Sequence, residues 1–232
     1  MQKRTFRFRQ WQLNRDLLDA VGNGQTEKVR LLLDAGADVN ANCGYDTALS
    51  IAGRRPESNA DTVRLLLERG AFVNGDPKRR TVNPLLRASH QSDPDRIRLL
   101  VTYGSDVNVV QPGITPGFTP LQELARWADL ETLALLLKYG ADINQKCPVY
   151  KRRMSGGSTA LHLAANAGRA DIVAFFLSKG ADIAVLDARG RSPLDYAREA
   201  LDQPFYDNDE HQYEAQSYRD TIALLEKEMQ DA

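Results

Sequence analysis

Thr159-Ala160-Leu161-His162-Leu163-Ala164-Ala165 opens a segment that runs through the apolar core 172–177 and stops at Gly180-Ala181-Asp182. A threonine side chain accepts a hydrogen bond from the free amides of a first helical turn. The alanines and leucines behind it favour helix. A glycine can end a helix in the left-handed conformation that frees the chain to turn. The segment therefore reads as a short capped helix, a turn, a second helix and a glycine stop.

The pattern recurs along the chain. Gly36-Ala37-Asp38, Gly70-Ala71, Gly104-Ser105-Asp106 and Gly140-Ala141-Asp142 precede Gly180-Ala181-Asp182 at intervals of 34, 34, 36 and 40 residues. Such a period marks one supersecondary unit copied and stacked. Each unit opens on a capping side chain: Thr47, Asn83, Thr119, Thr159 or Ser192. Pro84, Pro120 and Pro193 follow three of these caps, at a position where a missing N–H costs nothing. The second helices are carried by Val29–Leu33, Val63–Leu67, Ile97–Val101, Leu133–Leu137, Ile172–Leu177 and Ile222–Leu225. The expected fold is all-α, a solenoid of helix-turn-helix units with β-hairpin-like loops.

These residues resemble the ankyrin repeat. Thr159 to Ala165 is similar to the family's T-P-L-H-x-A-A signature, and Gly140-Ala141-Asp142-Ile143-Asn144 to its G-A-D-V-N close. The resemblance covers about residues 13–232. It divides into a partial unit 13–41, four repeats over about 42–186 and a C-terminal cap over about 187–232, with a basic arm or cap at 1–12. His162 is the only histidine in its motif slot, where other units have Ser50, Leu86, Gln122 and Asp195. Those four units are expected to lose the loop-bracing bonds this histidine makes in the family.

The resemblance implies protein–protein recognition through loop fingers and the exposed face of the inner helices. Carried over by position, that surface comprises Arg54 and Arg55, His90 and Gln91, Phe118, Arg126 and Trp127, and Asn166. Trp127 stands in a slot that points outward in the family, and Trp and Arg dominate binding energy at interfaces. Spans from closing glycine to next cap are 11, 13, 15, 19 and 12 residues, so the middle loops carry insertions. Surface loops lengthen at little entropic cost, so the chemistry of the longest loop carries more weight than its length. Its Tyr150, Lys151, Arg152 and Arg153 suggest a basic finger, against the alternative of a solvated loop.

Charge is segregated. The chain has 30 basic and 31 acidic residues, a net charge of −1. Residues 1–15 hold five cations and residues 145–158 four, both without an acid, while residues 202–214 hold Asp202, Asp207, Asp209, Glu210 and Glu214 without a cation. Such bias concerns partner choice rather than fold. The expected partner is a protein of acidic or mixed charge lying across the second to fourth repeats. Trp127 and Phe118 would anchor it, with Arg54, Arg55, Arg126, Lys151, Arg152 and Arg153 in charged contacts. An inhibitor, an immunity-type protein and an adaptor all fit a monomer of this kind.

Other chemistry finds little support. His90, His162 and His211 lie in different units, and no glycine-rich phosphate loop is present; no enzyme, metal or cofactor is expected. Cys43 and Cys147 lie three repeats apart, too far for a bridge, which points to a reducing cytoplasm. No apolar run is long enough to span a membrane. The alternative function is nucleic-acid association through the basic finger and the arm, where Arg4, Phe6, Arg7, Phe8, Arg9 and Trp11 interleave cations with rings. The sequence pI of about 6.3 argues against it. The arm is expected instead to cap the first repeat, burying Phe6, Phe8 or Trp11.

Overall fold

The computed structural model describes residues 2–54, 60–76, 78–91, 93–110, 117–148, 156–202 and 210–231. They form two compact units, Met1–Pro116 and Gly117–Ala232. In the first unit the inner helices are α1 (Gln2–Gly22), α3 (Ala48–Arg54) and α5 (Pro84–Ser89), and the outer ones α2 (Thr26–Asp34), α4 (Ala60–Glu68) and α6 (Pro94–Thr102). Each inner helix packs on its outer partner and on the next inner helix. Leu17, Val21, Val29, Leu49, Val63, Leu66, Leu85, Ile97 and Leu100 are fully buried between them. Each such side chain contributes roughly 1.5–3 kcal/mol. Small residues bring α3 against α5: a side chain at Gly53 would meet the Pro84 carbonyl oxygen at 3.0 Å.

The second unit repeats the arrangement with inner helices α7 (Pro120–Leu124), α9 (Ala160–Asn166) and α11 (Pro193–Leu201), and outer helices α8 (Leu130–Lys138), α10 (Ala170–Ser178) and α12 (Glu210–Asp231). Leu121, Leu124, Leu133, Leu136, Leu161, Ile172, Phe176 and Leu225 fill its core. Strand structure among the described residues is confined to β1 (Asn42–Cys43) and β2 (Asp46–Thr47), an antiparallel pair with Asn42 opposite Thr47. The fold is all-α, with the helix pairs that the glycine period predicts.

Local chemistry sets the boundaries. The five closing glycines adopt φ between +84° and +94°. At the first of them Gly36 N–H donates to Leu33 O at 3.0 Å and Ala37 N–H to Leu32 O at 2.9 Å, satisfying the last free carbonyls of α2. Asn83, Thr119 and Ser192 cap their helices through their side chains, Thr119 reciprocally with Gln122 and Ser192 with Asp195. Asp93 and Asp129 cap outer helices in the same way.

Asparagines tie each loop to what precedes it, Asn14 from α1 and Asn40, Asn74 and Asn144 from the loop before. Asp38 N–H donates to Asn14 Oδ1 at 2.8 Å, Phe72 N–H to Asn40 Oδ1 at 2.8 Å and Asp106 N–H to Asn74 Oδ1 at 2.8 Å. In the second unit Asp182 N–H donates to Asn144 Oδ1 at 2.9 Å. The slot that reads as part of a loop motif is thus a clamp from one repeat to the next.

Two expectations need correction. α1 runs unbroken from Gln2 to Gly22, so the segment 1–12 expected as an arm or cap continues into the first inner helix. Phe8 and Trp11 are not buried over an apolar end, being 63% and 55% exposed, while the Phe6 side chain lies outside the described residues. Leu17, Ala20 and Val21 make the buried face of that helix, and Phe8 and Trp11 fall outside it. The second correction concerns bracing. Gln122 keeps the inter-repeat bond expected to be lost, since its Oε1 accepts from Thr119 N–H at 3.0 Å while its Nε2 donates to Gln145 O at 2.6 Å and Ser158 O at 3.3 Å. His162 does the equivalent with Thr159 and Arg191 O. The Ser50 and Asp195 side chains are seen to bond within their own repeats, and Leu86 offers no polar group.

Candidate functional site

The sequence-assigned surface falls on the ends of inner helices and the turns behind them. In the second unit, Arg126 and Trp127 occupy the turn between α7 and α8, which closes when Trp127 N–H donates to Leu124 O at 3.2 Å. Both side chains are exposed, and the Arg126 guanidinium carbon lies 5.3 Å from the centroid of the indole ring. The pair offers a flat apolar surface beside a positive charge. Trp127, 39% exposed, is not packed away as a filler. Phe118 is half-buried immediately before its capping threonine, and Asn166 is half-buried at the end of α9.

In the first unit Arg54 ends α3 and lies 3.6 Å from Asp46, while Arg87 reaches the other oxygen of the same carboxylate at 3.1 Å. Among the described residues, two guanidiniums thus share one carboxylate. Among the described residues, the Nε atoms of Arg54 and Arg87 are buried without an acceptor. His90 is half-buried at the end of α5 and Gln91 exposed beside it. Arg55, Tyr150, Lys151, Arg152 and Arg153 lie outside the described residues.

The neck of the long finger is described. Cys147 N–H donates to Ser158 O at 2.9 Å, Gly157 N–H to Cys147 O at 3.0 Å, and Ala188 N–H to Gly156 O at 2.9 Å. Both cysteines are free thiols. Beyond this neck the next loop is held by an ionic knot. Asp187 accepts from Arg191 Nε at 3.0 Å, Arg191 Nη2 at 2.8 Å and Tyr196 OH at 2.9 Å. Burial pushes its pKa up, but the bonds from the Arg191 amide and guanidinium, the Arg189 amide and Tyr196 outweigh it and hold the carboxyl at about 2. Burial, then the bond to Asp187, raises the Tyr196 phenol well above its usual range.

A feature absent from the sequence-assigned surface is a cleft of about 890 Å³ in the first unit, lined by Trp11, Arg15, Arg54, Phe72, Lys78 and Arg79 among others. Of these, Arg54 belongs to the protein-binding surface expected from the sequence and Trp11 to the alternative nucleic-acid one. Trp11 and Arg15 stand four residues apart on α1, and Lys78, Arg79 and Arg80 make the facing loop basic.

Among the described residues no three His, Cys, Asp or Glu side chains converge to hold a metal ion. No helix is long and apolar enough among them to cross a membrane. Comparison with known families matches residues 116–148 to the ankyrin repeat and residues 152–197 to ankyrin repeats in many copies. A search of curated proteins finds no match to the chain.

Proposed function

We propose, since this chain is an ankyrin-repeat protein, that it holds a protein partner on the exposed ends of its inner helices and on its loop fingers. Ankyrin repeats generally mediate protein–protein interaction and are typically non-enzymatic. The observation that carries the assignment is the exposed Arg126–Trp127 pair. Tryptophan and arginine are the residue types that supply most binding energy at interfaces, and a guanidinium over an indole gains roughly 0.5–1 kcal/mol even at an exposed site. The pair sits on a turn fixed by its own helices, so little ordering entropy is lost when a partner covers it.

Phe118 provides a second apolar contact in the same unit. Lys151, Arg152 and Arg153 extend the basic character of the finger whose neck is closed at Cys147 and Ser158. An acidic or mixed-charge protein complements this set, in the role of inhibitor, immunity-type protein or adaptor.

The test is affinity purification from the native cell, followed by capture with Trp127→Ala and with Arg152→Glu plus Arg153→Glu. The captured protein is expected to be lost from the first variant and reduced with the second. Undiminished capture by both, with the fold intact, would reject this surface.

A further inference from the structure

We infer that the leading half of α1 docks on the acidic segment 202–214 of a second copy, so that chains associate head to tail. The inference is independent of the partner surface at Arg126 and Trp127, and it makes the expected monomer the dilute form of the protein.

α1 is built unlike the other inner helices. It has 21 residues, against 5 to 9 in α3, α5, α7, α9 and α11. Gln10 Nε2 donates to Gly36 O at 3.0 Å and Asn14 Oδ1 accepts from Asp38 N–H at 2.8 Å, which levels this part of the helix with the loop closing its repeat. Residues 2–9 run ahead of that level by about 12 Å at the helical rise. Arg7, Phe8 and Arg9 are exposed there, and Phe8 stacks on the exposed Trp11 with ring centroids 6.0 Å apart. The core takes Leu17, Ala20 and Val21 from α1 and none of these four.

Charge and rings together name the occupant. Residues 2–9 hold four cations, Lys3, Arg4, Arg7 and Arg9, and no acid. The first acid of the helix, Asp16, comes about 10 Å beyond Arg9. On the neighbouring end of α2, Asp34 is paired with Arg69 at 2.9 Å. Residues 202–214 are the counterpart: Asp202, Asp207, Asp209, Glu210 and Glu214 stand among Phe205, Tyr206 and Tyr213 with no Lys or Arg. Folding does not call for all of these acids. Glu210 opens α12, where the helix dipole favours an acid, but Asp202 follows the last residue of α11, where the dipole disfavours one. In a repeat stack each unit contacts its neighbours, so segments of the first and last units meet between copies. Complementary charge then fixes which ends meet. A nucleic-acid strand would match the head alone and leave the acidic segment without a role.

Sedimentation of the full chain is measured from about 1 μM to 1 mM. Beside it run a head variant, Arg7→Glu plus Arg9→Glu, a tail variant, Asp202→Lys plus Asp207→Lys, and their equimolar mixture, with circular dichroism checking each fold. A head-to-tail contact leaves both ends open, so the mass of wild type is expected to climb with concentration. Each variant is expected to associate about tenfold more weakly. The mixture is expected to regain association, because each variant supplies the charge that the other requires. Wild type that stays monomeric throughout, variants that associate as it does, or a mixture no better than its components overturns the inference. Binding of oligothymidylate by a monomeric wild type, lost with the head variant, overturns it in favour of nucleic acid. Loss of association in Arg152→Glu plus Arg153→Glu, with the head variant unaffected, overturns it in favour of the finger. Trp127→Ala should associate as wild type does while losing the cellular partner, so either assignment can fail alone.

Discussion

His162 Nε2 lies 3.1 Å from the carbonyl oxygen of Arg191 and so binds α9 to the loop of the following repeat. The ring's other nitrogen, Nδ1, accepts from Thr159 N–H at 3.1 Å, which fixes the neutral tautomer with its proton on Nε2. Burial lowers the pKa, opposed by the bond to Arg191. A depressed histidine pKa contributes stability that is complete above the unfolded value, about 6.5, and is lost as pH falls through the folded one. Unfolding by urea should therefore show stability dropping below about pH 6.5 in wild type and a flatter profile in His162→Gln. An equal pH slope in the two proteins would place the titrating group elsewhere.

Gln122 performs the same two bonds in its own repeat, so glutamine is the natural replacement at 162. At neutral pH His162→Gln should cost less than about 1 kcal/mol, and His162→Leu about 2 kcal/mol or more by stranding the Thr159 amide and the Arg191 carbonyl. Equal losses in denaturant titrations would contradict this.

Tyr196 hydrogen-bonds the buried Asp187 carboxylate at 2.9 Å. Tyr196→Phe should destabilise the protein by roughly 1.5–3 kcal/mol, as for a hydrogen bond to a charged group, and raise the Asp187 pKa from about 2. Because that pKa is depressed, its stabilisation is complete above the unfolded carboxylate value, about 3.9, and vanishes as pH falls through the folded one. Carboxylate titration by NMR in both proteins measures the shift directly.

Asn74 accepts from the Asp106 amide at 2.8 Å and from Asn83 Nδ2 at 3.2 Å. Asn74→Ala should cost about 1–2 kcal/mol and speed hydrogen exchange at Asp106. Unchanged exchange there would mean that the clamp contributes nothing.

Gly157 and Gly180 both adopt positive φ, at +80° and +86°, but their surroundings differ. A side chain at 157 would meet Ala188 N at 2.8 Å, whereas nothing lies within 4 Å at 180. Gly180→Ala should cost roughly 1–2 kcal/mol, the left-handed penalty alone. Gly157→Ala should cost more, and thermal melts of the two variants rank them.

The helical repeat is legible in the sequence because its signals are local. Caps at Thr119 and Ser192 and stops at Gly36 and Gly180 act within a few residues of themselves. The outward position of Trp127 is legible for the same reason, since its slot fixes its direction. The brace at Gln122 is harder to read: glutamine supplies an acceptor and a donor as imidazole does, yet matches no histidine motif. The unbroken α1 is visible in the absence of any proline or glycine from Gln2 to Val21, although the basic composition suggests an arm. The cleft is not legible, because it exists only once the loop of Phe72 and Arg79 has folded against a helix some sixty positions earlier.

Closure of the finger neck at Cys147 and Ser158 has an evolutionary consequence. The backbone bonds there need no particular side chain between them, so codons 148 to 155 can drift, lengthen or change sign while the helices on either side keep their register. On the proposed reading, in which the finger contacts the partner beside the Arg126–Trp127 pair, that insert is a natural position for grafting new specificity.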